Sequence, residues 1–249
     1  MISEVEDNNV AALGSNLTEL RDRLLRVLCV MLIATLSMIP FSQDIYSLVA
    51  GPLLKYLPEG GHMIATEVTS TFMAPLKLVL YAAFALSMPV ILFQLWAFIS
   101  PSLYQSKKNI GIPLLFLSVV LFYLGIAFSF YVVFPLVFSF FSGATPAGVT
   151  YTPDISLYLS TILKLFLAFG LTFEIPIATV VLIMSGITTR KSLSEKRPYI
   201  IVGCFVIGMF LTPPDLMSQA LLAVPMIMLF EIGLLISFFL VREPLETTE

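Results

Sequence analysis

The sequence predicts an all-α integral membrane fold, and three observations carry that prediction. The 249 residues are 58% hydrophobic and only 12% charged, with a mean hydropathy of +0.98. Soluble domains run nearer ~45–50% apolar and ~25% charged. Apolar runs of membrane-crossing length recur along the chain, each stopped by a polar or proline-rich connection. The Lys and Arg residues are sorted between those connections: ten lie on one side and two on the other. No soluble fold of this length hides so much apolar surface, so the solvent is lipid, and a single polytopic domain over residues 1–249 is the expectation.

Six transmembrane helices follow in order. The first, 24–41, is closed by Pro40 and by Ser42-Gln43-Asp44. The second, 72–99, carries Pro75 and Pro89. The third, 111–141, has no charged residue. At 1.5 Å per residue its length is ~46 Å, so it must tilt or project beyond the lipid. The fourth, 155–187, contains Lys164 and Glu174. The fifth and sixth, 199–211 and 216–241, form a tight pair split only by Thr212-Pro213-Pro214-Asp215. The fifth is short, ~13 residues or ~20 Å of helix, and the uncharged part of the sixth, 216–230, is little longer. Such helices either thin the bilayer or are shielded by protein; one re-entrant hairpin is the alternative. Between the first two spans, Ile45, Leu48, Val49, Leu53 and Leu57 recur at helical spacing. They predict a short amphipathic helix on the outer surface, broken near Pro52 and Pro58.

Arg21, Arg23, Arg26, Lys107, Lys108, Arg190, Lys191, Lys196, Arg197 and Arg242 fall on one side, against Lys55 and Lys77 on the other. The positive-inside rule puts the ten, both termini and the flexible tails 1–15 and 242–249 in the cytoplasm. The amino terminus is acidic and does not resemble a cleaved secretory leader. The basic residues sit in short clusters at helix ends, a pattern unlike a nucleic-acid-binding stripe. Cys29 and Cys204 lie inside apolar runs and read as buried free thiols. His62 is the only histidine, so no His- or Cys-ligated metal site and no cofactor is expected. There is no phosphate loop, no His-Glu-x-x-His, and no serine beside a plausible base in the spans. The expectation is a protein that is not an enzyme.

Two glutamates stand out. Glu174 lies about 24 Å along its helix from Arg190, where an acidic side chain costs about 2.5–3.5 kcal/mol to insert. It is either functional or a protonated group bonded to the backbone of a neighbouring helix. Lys164 is not its partner, since ten residues of helix separate them by ~15 Å; it snorkels instead to the outer interface. Glu19 precedes the first span and has a local explanation as well. With Asn16 it matches a capping box, and with Arg23 it matches an i, i+4 ion pair. Pro89, Pro113, Pro135, Pro176 and Pro225 each remove a backbone donor and bend or end a helix, which suggests a curved assembly.

Several segments together resemble one known family. They are Glu19-Leu20-Arg21-Asp22-Arg23-Leu24, Ala97-Phe98-Ile99-Ser100-Pro101-Ser102-Leu103-Tyr104, the run 168–176 around Glu174, and Lys196-Arg197-Pro198-Tyr199. Leu211-Thr212-Pro213-Pro214-Asp215 with Ser218-Gln219, and Phe230-Glu231-Ile232-Gly233, complete the pattern. Over roughly residues 15–240 it is similar to TatC, the large membrane subunit of the bacterial twin-arginine translocase. The resemblance implies a six-helix, glove-like receptor in the bacterial cytoplasmic membrane. Such a receptor binds signal peptides with two adjacent arginines on folded cargo. It assembles with the single-span TatA and TatB subunits and with copies of itself, and the proton-motive force drives export.

Carried over by position, Glu19 is the carboxylate that engages the arginine pair, a partner it can grip bidentately. Leu20, Arg21, Phe98, Pro101, Tyr104 and Lys107 belong to the same signal-binding set. Glu174 faces a concave lipid-exposed groove, while Pro52, Asp215 and Gln219 belong to outer-face and partner-contact regions. Two positions depart from the pattern. Asn16 stands where the family commonly has histidine, and Lys107 stands where it usually has a second signal-binding glutamate. A lysine does not pair with arginine; Glu195 in the second cytoplasmic loop is the nearest replacement. The rival reading is a proton-coupled secondary transporter with Glu174 as proton carrier, but the related halves it requires are not visible.

Overall fold

The computed structural model describes residues 2–54, 64–67, 69–99, 108–143, 152, 154–211 and 216–240, and every regular element among them is helical. In order these are α1 (Ile2–Met38), a 3-10 turn (Ile39–Phe41), α2 (Ser42–Leu54), α3 (Ser70–Ile99) and α4 (Lys108–Phe128). A π turn (Ser129–Val133), α5 (Phe134–Gly143), α6 (Ile155–Thr172) and α7 (Ile175–Met184) follow. The last three are α8 (Arg190–Glu195), α9 (Arg197–Leu211) and α10 (Leu216–Leu240). Five stretches are long and apolar enough to cross a membrane: Leu17–Val49, Ser70–Ile99, Gly111–Val137, Ile155–Met184 and Leu222–Phe239. Arg197–Phe210 is a sixth, shorter apolar helix. The short fifth helix is therefore as expected, whereas the sixth runs on through Glu231.

The prolines explain most of the segmentation. Pro40 sits in the 3-10 turn that ends α1 and separates it from α2. The expected amphipathic helix is α2: Ile45, Tyr46 and Val49 pack against the Leu78–Leu159 cluster, while Leu48 is exposed. The third span is widened by the π turn, where Phe134 N–H reaches back to Ser129 O. Pro135 follows directly; its ring cannot lie against the carbonyl four residues earlier in a regular helix, and the wider turn relieves that clash. The fourth span is two helices. Pro176 lacks the N–H that would continue α6, so α6 stops at Thr172 and α7 restarts after Glu174. At its far end α7 closes on Gly186, at φ 75°, with Gly186 N–H to Ile183 O and Ile187 N–H to Leu182 O. Only glycine takes that left-handed position cheaply, and the turn it makes delivers Arg190.

Helix–helix contact is set by small residues. A Cβ on Gly125 of α4 would lie 2.5 Å from Phe169 O, and one on Gly170 of α6 would lie 2.6 Å from the Phe122 ring. The two glycines thus let α4 and α6 cross at backbone distance, each receiving the other's aromatic neighbourhood. Buried side chains concentrate around α3, α4 and α7, with Met88, Leu92, Trp96, Phe122, Ile177 and Val181 at the centre. By contrast α1 packs chiefly along α3 and buries only Ala34 among its described apolar side chains. Leu24, Leu25, Leu28, Leu32 and Leu36 remain more than half exposed, as suits a helix whose other side is lipid.

Candidate functional site

Two polar constellations stand out, one at the helix ends and one inside. At the end of the molecule where α1 begins to pack, Glu19 Oε1 accepts from Arg23 Nη2 at 2.6 Å and Nε at 2.9 Å. Arg23 also donates from Nη1 to Gln94 Oε1 of α3 at 3.0 Å. The two ends of this chain differ in access: the Arg23 side chain is 17% exposed and Glu19 is 47% exposed. Arg23 is therefore a seated cation, while Glu19 offers a reachable carboxylate. Because α1 and α3 run antiparallel, the Arg23–Gln94 bond sets Glu19, one turn before Arg23, alongside Phe98, one turn after Gln94. Phe98 is half-buried and Leu20 exposed. Arg21 turns to Asp22, 2.8 Å away on the exposed surface. Pro101, Tyr104 and Lys107 lie outside the described residues.

The interior constellation is built on the α6–α7 break. With no helical turn to occupy, Glu174 points inward and is 7% exposed. Its Oε2 accepts a hydrogen bond from Ser118 Oγ of α4, and Ser118 Oγ accepts from Trp96 Nε1 of α3 at 3.0 Å. Glu174 Oε1 is buried with no hydrogen-bond partner among the described residues. Ser118 and Trp96 are themselves buried, so the three helices share one polar seam. The resemblance implies that Glu174 faces an open groove; in the isolated chain its carboxyl is folded into the seam instead. The local reading of the sequence expected a bond to a neighbouring helix's backbone; the partner is instead the Ser118 side chain of α4.

The remaining candidates are dispersed. Gln219 Nε2 donates to Phe205 O at 2.7 Å and so ties α10 to α9, where Gly208 makes room for it. Pro52 lies in the last turn of α2, and Asp215 is outside the described residues. Among the described residues, no three His, Cys, Asp or Glu side chains converge to hold a metal. Lys164 is exposed and Glu174 is bonded elsewhere, in keeping with their separation along the helix.

Two features were not singled out from the sequence. Arg197 and Glu231 form a two-pronged ion pair, with Nε–Oε1 and Nη2–Oε2 both at 2.9 Å, joining α9 to α10. Asp154 is a clamp at the opposite end of the bundle. Its Oδ1 caps α6 through Ser156 and Leu157 N–H, and its Oδ2 takes the Thr66 hydroxyl at 2.7 Å and N–H at 3.0 Å. The Thr66 hydroxyl and those backbone donors hold the Asp154 carboxyl at about 2, below its ordinary value. An aspartate just before an apolar run is a readable cap signal; its second partner is not.

Comparison with known proteins identifies the family. The model of the family described as "Sec-independent protein translocase protein (TatC)" matches residues 15–225. The chain is 56% identical over 226 residues to the Sec-independent protein translocase protein TatC of Haemophilus influenzae, covering 90% of this chain and 88% of that one. It is 50% identical over 237 residues to the protein of the same name in Escherichia coli K12, covering 95% and 91%. A crystal structure of the twin arginine translocase receptor TatC superposes with a TM-score of 0.82 at 37% identity, covering 91% of this chain and all of that one.

Proposed function

Because this chain belongs to the TatC family of Sec-independent protein translocase subunits, we propose that it is the signal-peptide receptor of a twin-arginine translocase, with Glu19 as its arginine-binding carboxylate. One observation carries the reading: Glu19 already holds a guanidinium, that of Arg23, while keeping nearly half of its own surface open. A carboxylate in that setting exchanges one guanidinium for another at little cost, since a charge-assisted pair is broken and remade. Phe98 and Leu20 supply apolar surface beside it for the hydrophobic part of a signal peptide. By the resemblance, Pro101, Tyr104 and Lys107 belong to the same signal-binding set.

In this reading the protein works by binding and scaffolding and performs no chemistry of its own. It sits in the bacterial cytoplasmic membrane with six spans and both termini inside. Through Gln219, Asp215 and Pro52 it meets TatA, TatB and further copies of itself, and the proton-motive force supplies the work of export. Photocrosslinking a twin-arginine signal peptide to residues 15–25 and 95–110 tests the site. Glu19→Ala is expected to abolish the crosslink; an undiminished crosslink refutes the assignment.

A further inference from the structure

A second polar hollow, of about 400 Å³, opens between α8, α9 and the last turns of α10, away from Glu19. Arg190, Lys191 and Arg197 line it, and among the described residues Glu231, already gripped by Arg197, is the one carboxylate on its wall. The Arg190 guanidinium is held in place, donating from Nη2 to Ser237 O at 3.1 Å and lying 5.0 Å over the Phe238 ring. The charged end of the hollow is thus preorganised, a feature that raises affinity by lowering the cost of ordering.

The other wall is apolar, formed by Leu234, Leu235 and Phe238. From Leu235, exposed apolar residues continue down α10 at helical spacing through Ile232 and Met228, with exposures of 60%, 42% and 59%. They track into the stretch Leu222–Phe239 that crosses the membrane. A cationic hollow at the mouth of a lipid-facing apolar stripe has the shape of an amphiphile, with an anion at one end and hydrocarbon along the other. Basic hollows of this kind between helix ends take phospholipid head groups.

We propose that this hollow binds the phosphate of an anionic phospholipid, with an acyl chain lying along Leu235, Ile232 and Met228. Arginine suits the phosphate because its planar fork presents parallel N–H donors. Bound there, the lipid braces α8 against α10. The inference does not rest on Glu19, which lies on α1 and lines no part of this hollow.

The test is native mass spectrometry of the full chain in detergent, titrated with phosphatidylglycerol or with phosphatidylcholine of identical chains. Phosphatidylglycerol is expected to be retained about tenfold more, since each cation near the head group contributes about fivefold. Lys191→Glu, at an exposed position on α8, should lower that retention at least fivefold. Arg26→Gln, which removes one charge from the amino-terminal cluster, should leave it within twofold. Equal retention of both lipids, or equal loss in the two variants, overturns the proposal. So does displacement of the lipid by millimolar inorganic phosphate, which would make this a site for the free anion. Signal-peptide crosslinking at Glu19, followed in the same variants, is expected to stay unchanged, which separates a failure here from a failure of the receptor reading.

Discussion

At the rim, Glu19 is 47% exposed and holds a guanidinium; inside, Glu174 is 7% exposed and holds a hydroxyl. The residue type is the same, and the surroundings assign the work. The Glu19–Arg23 pair has water on one side, so its net worth is small and its partner is replaceable. The Ser118–Glu174 bond has no such alternative, because a buried polar group that loses its partner bears the full cost of desolvation. Exposure leaves the rim carboxylate open to a new partner, and enclosure makes the interior seam a fastening between α3, α4 and the α6–α7 junction.

Mutations sharpen this contrast. The largest effect belongs to Glu19→Ala, expected to weaken a twin-arginine peptide by about 10–100-fold, the worth of a charge-assisted hydrogen bond, with little change in thermal stability. Fluorescence titration with a labelled signal peptide measures it. Ser118→Ala should do the reverse. It orphans Trp96 Nε1 and Glu174 Oε2 and should cost about 1–3 kcal/mol of stability, read as a lower melting temperature in detergent, while peptide affinity stays within twofold. If Ser118→Ala weakens peptide binding as much as Glu19→Ala does, the two regions are one coupled unit and the contrast fails. Lys107→Glu should strengthen binding by about fivefold, since it restores an acid where the arginine pair is proposed to dock; weaker or unchanged binding removes Lys107 from the site. Arg23→Lys should strengthen binding about twofold, because an ammonium cannot bridge Glu19 and Gln94 as the guanidinium does.

The smallest effect concerns a third carboxylate. The Asp154 carboxyl is held at about 2, so its contacts contribute above its ordinary value of 3.8 and are lost only as pH falls toward 2. Hydrogen exchange at the Thr66 amide should therefore show full protection from pH 7 down to about pH 4. Asp154→Ala should expose that amide at neutral pH.

The spans were legible because lipid tolerates so few charges that hydropathy alone marks where each helix lies. The division of the fourth span was legible in Pro176, a local rule that needs no partner. The π turn before Pro135 was not, because a proline can kink, end or widen a helix, and packing selects among these. Glu19 and Glu174 were visible as unusual residues, and the i, i+4 pairing of Glu19 with Arg23 was legible as well, but the partners distant in the chain were not. Gln94 lies 71 residues from Arg23 and Ser118 lies 56 residues from Glu174. Nothing periodic in the chain announces such pairs. The same distance hides the Arg197–Glu231 tie and the Thr66 contact of Asp154.

The glycine crossing of α4 and α6 carries a mechanical consequence. Two backbones in direct contact, with no side chain between them, cannot slide without lifting apart, so Gly125 and Gly170 act as a rivet. The seam between α1 and α3 is a different joint, one helix lying on another and tied near its end by a single arginine. Tension applied through α1, as by a cargo pulled from its amino-terminal end, should peel that seam first and leave the riveted centre unmoved. The molecule is then stiff at its centre and compliant at α1, where the signal peptide is proposed to bind.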